Sequence, residues 1–103
     1  MKVFSTIKEL QKQVKESHLA PLGFVPTMGA LHQGHISLVR NAIKECPLVV
    51  VSIYVNPTQF NNKEDLRNYP RTIEADLDML GKHLRDNDIV FTPDDKEVYP
   101  ARD

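Results

Sequence analysis

Two histidines, His32 and His35, stand three residues apart with Gly34 between them, in the run Pro26-Thr27-Met28-Gly29-Ala30-Leu31-His32-Gln33-Gly34-His35. If this run opens a helix, side chains at i and i+3 share one side, so both imidazoles can face one point. Gly34 has no Cβ, so a phosphate could approach the backbone there. The free N–H groups and the dipole of a helix start favour an anion. Two imidazole donors around such a site suit charge developing on a phosphoryl group. The plain alternative is a polar surface pair, and a His pair alone favours it. Zinc wants three or four ligands, and the lone Cys46 with the distant His18 and His83 forms no ligand cluster in sequence. No G-K-[ST] follows, so this is not a Walker loop. The three-glycine dinucleotide fingerprint is also absent, which disfavours NAD.

A second unusual run is Asn56-Pro57-Thr58-Gln59-Phe60. Gln59 carries donors and an acceptor, which suits hydroxyls and a carboxylate. Its plain alternative is a loop amide tying down the Asn56 turn. Tyr69 reads first as a packing residue and Met28 as a pocket wall. Asp76 reads equally well as an acid favoured by the dipole in a helix first turn. Arg71 is given no role.

These residues need elements to hold them. Lys2 to Phe4 suits a short strand. Ser5 or Thr6 caps a helix to about Glu16, with Ile7, Leu10 and Val14 on one face. Leu22 to Val25 reads as a buried strand ended by Pro26. A helix follows from Gly34 or His35, striped by Ile36, Val39, Ile43 and Cys46 and stopped by Pro47. Leu48 to Val55 is nearly all β-branched or aromatic, as in a strand covered on both faces. Gln59 to Pro70 reads as irregular. Thr72 caps a helix to about Arg85, then Asp88 to Thr92 forms a strand, and Asp94 caps a last turn before Tyr99-Pro100.

Apolar strands alternating with amphipathic helices mean βαβ units on a parallel sheet. The fold class is therefore α/β, a Rossmann-like doubly wound sheet, with residues 1–103 forming part of one such domain. In the order 3-2-1-4-5, Leu22–Val25 is the central strand, Leu48–Val55 lies beside it and Ile89–Phe91 beyond. Both unusual runs then sit beyond the carboxyl ends of strands, where such sheets bind ligands.

Composition narrows the function classes. Thirteen Lys+Arg against fourteen Asp+Glu give a net charge of −1, and no basic run exists. Nucleic-acid binding, which needs a clustered basic surface, is disfavoured. The longest apolar run, Leu48 to Val51, falls far short of the roughly 20 residues a membrane span needs. Met1 to Leu10 has no signal-peptide h-region. One cysteine permits no internal disulfide, which fits a cytoplasmic protein. Cys46 itself reads as a small buried hydrophobe near a helix end, because nothing local would polarise a catalytic thiol.

His32-Gln33-Gly34-His35 resembles the H-x-G-H signature of nucleotidyltransferases and class I aminoacyl-tRNA synthetases. The wider pattern is more specific. Val25 to His35, Val51 to Phe60, Asp65-Leu66 and Tyr69-Pro70-Arg71-Thr72 resemble, in order and spacing, the pantoate–β-alanine ligase family over essentially the whole chain. The resemblance implies ATP-dependent, AMP-forming joining of pantoate to β-alanine through pantoyl adenylate. It implies that Met28, Gly29, Ala30, Leu31, His32, Gln33, Gly34 and His35 form the nucleotide side. His32 and His35 would stabilise the α-phosphate, with His35 as proton donor. Gln59 and Met28 would meet pantoate near the β-alanine path, with Asn56 and Tyr69 shaping the pocket. Asp76 matches a position near the magnesium that accompanies ATP. No tightly bound cofactor is implied, and a homodimer or other self-association is.

The family is more than twice as long as this chain. Its further ATP and pantoate contacts, a lysine segment, the equivalent of the K-M-S-K-S loop and a lid domain have no counterpart in residues 61 to 103. The expectation is thus a ligase as the parent and no activity in this chain alone. Another H-x-G-H adenylyltransferase would share the histidine half but has no need of Asn56 to Phe60. A non-catalytic binding or assembly module keeps the fold without the chemistry.

Overall fold

The computed structural model describes residues 1–99. Its elements run β1 (Lys2–Phe4), α1 (Ile7–Ser17), β2 (Leu22–Thr27), α2 (Gln33–Glu45), β3 (Leu48–Ile53), a 3₁₀ turn (Pro57–Gln59), α3 (Lys63–Asn68), α4 (Ile73–Gly81), β4 (Ile89–Phe91) and α5 (Asp95–Val98). The four strands form one parallel sheet in the order β1-β4-β3-β2. Leu22–Thr27 lies at one edge with β3 beside it and β4 beyond, the relative order the sequence predicts. Among the described residues nothing pairs with the outer side of β2.

β3 is buried at every position, and its alternation divides the core between two faces. Val49, Val51 and Ile53 pack with Ile36 and Val39 of α2 and Leu80 of α4. Leu48 and Val50 join Ile89 and Phe91 against Leu10 and Val14 of α1. Helices thus cover both faces, which is why the strand tolerates no polar alternation.

Several boundaries differ from the sequence reading. Pro26 does not end β2, which continues to Thr27. Thr27 turns its carbonyl to β3, accepting the Tyr54 N–H at 3.0 Å, so the nitrogen of Pro26 faces away from β3, and its missing N–H loses no ladder bond among the described residues. β3 stops at Ile53 rather than Val55. The stretch read as irregular contains α3 and is preceded by the 3₁₀ turn that closes at Gln59; their caps are the side chains of Asn62 and Asn56. α4 ends at Gly81, and Thr72 makes no capping bond to its backbone. Its hydroxyl donates instead to the Asp76 carboxylate at 3.3 Å. Asp94 does cap α5, accepting the Glu97 N–H. Pro100, expected to follow that turn, lies outside the described residues.

At the opposite end of the sheet a buried carboxylate fixes how α2, β3 and β4 meet. Asp88 is fully buried. It accepts the Val49 N–H at 2.9 Å and the Arg85 backbone and Nε groups at 2.8 and 2.9 Å. Arg85 also donates to the Cys46 carbonyl beyond α2. Hydrogen bonding to Asp88 holds its guanidinium above its ordinary pKa, against the effect of burial.

Candidate active site at the carboxyl ends of β2 and β3

The loop after β2 is built on left-handed backbone. Gly29 has φ 81° and Ala30 φ 51°, a region that glycine enters freely and alanine does not. The Thr27 hydroxyl donates to the Ser52 carbonyl at 2.9 Å and accepts the Gly29 N–H at 3.2 Å. Leu31 then enters the core, and His32 becomes the N-cap of α2.

That cap is made by the two histidines. His32 Nδ1 accepts the Gly34 N–H at 3.0 Å, and His35 Nδ1 accepts the His32 N–H at 3.1 Å. Together they form a capping box in which both side chains are imidazoles. Their ring centroids lie 4.1 Å apart. Since each Nδ1 is an acceptor, each neutral ring carries its proton on Nε2. Both rings therefore offer an Nε2–H donor. Burial, then the neighbouring His32, lowers the His35 pKa below 6.5, with Asp76 opposing.

Gly34 has a different use from the one expected. A Cβ there would stand 2.8 Å from His32 Cε1, so the missing side chain makes room for the His32 ring. The Gly34 N–H is likewise taken by His32 rather than left free for an anion.

The loop after β3 brings the second run alongside. Asn56 Oδ1 accepts the Thr58 N–H at 3.0 Å and the Tyr99 hydroxyl at 3.1 Å. Asn56 itself, not Gln59, ties down this turn. Among the described residues the Gln59 side chain meets no hydrogen-bond partner. Tyr69 packs edge-on against Phe60 at 5.7 Å.

An open pocket of about 430 Å³ collects Met28, His35, Asn56, Gln59 and Tyr69. Those residues come from three stretches of the chain, and each is one to which the family resemblance gives a place in the site. Gly29, Ala30, Leu31, His32, Gln33 and Gly34 form the loop and helix start around it rather than its lining. Tyr54 lines this pocket and its neighbour of about 440 Å³, a position that sequence reasoning passed over because it reads as the tail of a strand. Its hydroxyl donates to Asp95 at 2.7 Å.

Asp76 is 3% exposed, so it is no ordinary solvated first-turn acid. Its carboxylate is engaged by backbone. Both oxygens accept N–H groups, from Ala30 at 3.0 Å and Leu31 at 2.9 Å. No group of three His, Cys, Asp or Glu among the described residues could hold a metal ion.

Comparison with known proteins gives one family. The family model described as pantoate-beta-alanine ligase matches residues 2–102. A pantothenate synthetase of Phocaeicola vulgatus is 51% identical over 105 aligned positions, covering all of this chain and 36% of the relative. One from Thermosipho africanus is 52% identical, covering 97% and 36%. The crystal structure of the enzyme from Thermus thermophilus superposes with a TM-score of 0.84 at 44% identity, over 98% of this chain and 35% of that one. The pantoate-beta-alanine ligase of Francisella tularensis, described as complexed with beta-gamma ATP and beta-alanine, also gives 0.84 at 44%, over 98% and 38%. The chain thus spans a little over a third of the length of the relatives it matches.

Proposed function

The chain belongs to the pantoate–beta-alanine ligase family, and from that membership we propose that it supplies the adenylation half of an ATP-dependent pantoate–β-alanine ligase. In the full-length protein, a pantoate carboxylate oxygen attacks the α-phosphorus of ATP. Pyrophosphate leaves, and pantoyl adenylate forms. The amine of β-alanine then attacks the acyl carbon, AMP leaves with the bonding electrons, and the ammonium proton is lost to solvent. Magnesium enters with ATP as part of the substrate.

The residues act as donors and positioners. His32 and His35 direct Nε2–H groups toward phosphate oxygens as charge moves onto them. Such a donor needs no prior protonation, so a lowered His35 pKa does not disable it. Met28 to His35 form the nucleotide side. Gln59 meets pantoate's hydroxyl and carboxylate groups, while Asn56 and Tyr69 shape the wall. The observation that carries this reading is the shared pocket of Met28, His35, Asn56, Gln59 and Tyr69. A cytoplasmic location and a homodimer complete the proposal. The lone Cys46 supports the location, and the family resemblance supports the dimer.

Pantoate-dependent exchange of labelled pyrophosphate into ATP by the full-length protein tests it. Exchange should require pantoate and not β-alanine, and His35→Ala should lower it about 100-fold. Exchange that ignores pantoate would indicate an adenylyltransferase with another acceptor. No exchange at all would leave a binding module. The 103-residue chain alone should be inactive.

A further inference from the structure

Four consecutive amides on the approach to α2 are each held by a side chain. Gly29 N–H goes to the Thr27 hydroxyl, Ala30 and Leu31 N–H to the two oxygens of Asp76, and His32 N–H to His35. Of these acceptors only Asp76 comes from a distant element, α4. It is buried and braced by Thr72. A Cβ on Gly29 would come within 3.0 Å of Asp76 Oδ2, so carboxylate and loop are closely fitted. Ala30 holds a left-handed φ that its side chain disfavours, and the Asp76 bond to its N–H is made in that conformation. The next residue but one is His32.

We infer that Asp76 is a positioning residue for adenylation, fixing the Ala30–Leu31 backbone so that His32 and His35 present both Nε2–H groups to one place. The carboxylate suits this better than an amide would. It accepts on both oxygens, whereas an amide must turn its NH₂ toward one of two N–H donors. The inference rests on the adenylation reading above and replaces a magnesium role for Asp76 with a backbone one.

Asp76→Asn in the full-length protein tests it. The kcat for pantoate-dependent pyrophosphate exchange should fall about 100-fold, the scale of a slight misplacement of catalytic groups. KM for pantoate and the magnesium concentration for half-maximal rate should stay within about threefold. Imidazole ¹⁵N NMR should show one Nε2–H tautomer for His32 and His35 in the wild type and a tautomer mixture in the variant. Unchanged kcat with unchanged imidazole spectra would overturn the inference, as would recovery of rate on adding magnesium. If Asp76→Asn does not fold, Thr72→Val is the second variant. It removes only the brace and should shift the same imidazole signals with far-UV circular dichroism unchanged; spectra identical to wild type would overturn the inference. A wild type without exchange activity would refute the adenylation reading, while the imidazole spectra would still report on positioning.

Discussion

At the scale of single residues, the chemistry of this site depends on which nitrogen of each histidine the backbone occupies. Nδ1 of His32 and of His35 each accepts a backbone N–H, so adding a proton there breaks a cap. Burial and His32 also disfavour the His35 cation, with Asp76 opposing. The folded state thus binds its proton less readily than the unfolded chain. The stability this contributes is present above pH 6.5 and is lost as pH falls from 6.5 through the lower folded value. An NMR titration of His35 Cε1–H should give a midpoint below 6.5, and one at or above 6.5 would contradict the capping geometry. Gln59 differs, because its side chain meets no hydrogen-bond partner among the described residues. Gln59→Ala should raise the pantoate requirement by the equivalent of about 1–3 kcal/mol and leave the ATP requirement nearly unchanged. Equal effects on both substrates would point to a disturbed loop instead.

At the scale of elements, the ends of the strands carry two buried carboxylates with different tasks. Asp76 ties α4 to the loop after β2, next to the site. Asp88 ties the start of β3 to the turn before β4, at the far end. The second pair should respond unequally to truncation. Arg85→Ala leaves the fully buried Asp88 without its cation and should cost about 3–5 kcal/mol. Asp88→Ala leaves a half-exposed guanidinium that water can solvate, so the loss is chiefly the orphaned Val49 N–H, about 1–3 kcal/mol. Urea unfolding of the two variants would measure both. Equal losses would mean that burial of the carboxylate is not the deciding cost.

At the scale of the whole molecule, the sheet is asymmetric. β1 closes one side beside β4, and β2 leaves the other unpaired among the described residues. Along that edge Leu22 is 43% and Phe24 56% exposed. Both line an apolar groove of about 300 Å³ with Leu10, Val14 and Val50. Open strands and apolar patches recruit other chains. The 103-residue polypeptide by itself should therefore self-associate. Light scattering that finds a well-behaved monomer at high micromolar concentration would contradict this.

The order of the strands and of the helices other than α3, the parallel sheet and the positions of the two unusual runs were legible in the sequence. They follow from local signals: β-branched runs, 3.6-residue stripes, prolines, and histidines flanking a glycine. The family resemblance adds, from the same local motifs, the roles proposed for His32, His35 and Gln59. Other features were not legible, because their causes lie far apart in the chain. Pro26 could continue a strand because its nitrogen faces the side of β2 with which no described strand pairs, and that depends on how the strands are ordered. Asp76 in isolation is one more acid in a first turn. Only packing of α4 against the loop after β2 buries its carboxylate and sets Ala30 and Leu31, 46 and 45 residues away, against its oxygens. Gly34 likewise announced a close approach that the local motif assigned to a phosphate, and the fold filled that space with the His32 ring. Periodicity along the chain determines which faces are apolar. Tertiary contact decides which polar group is buried and what it must hold, since a buried carboxylate must find its donors wherever the fold supplies them.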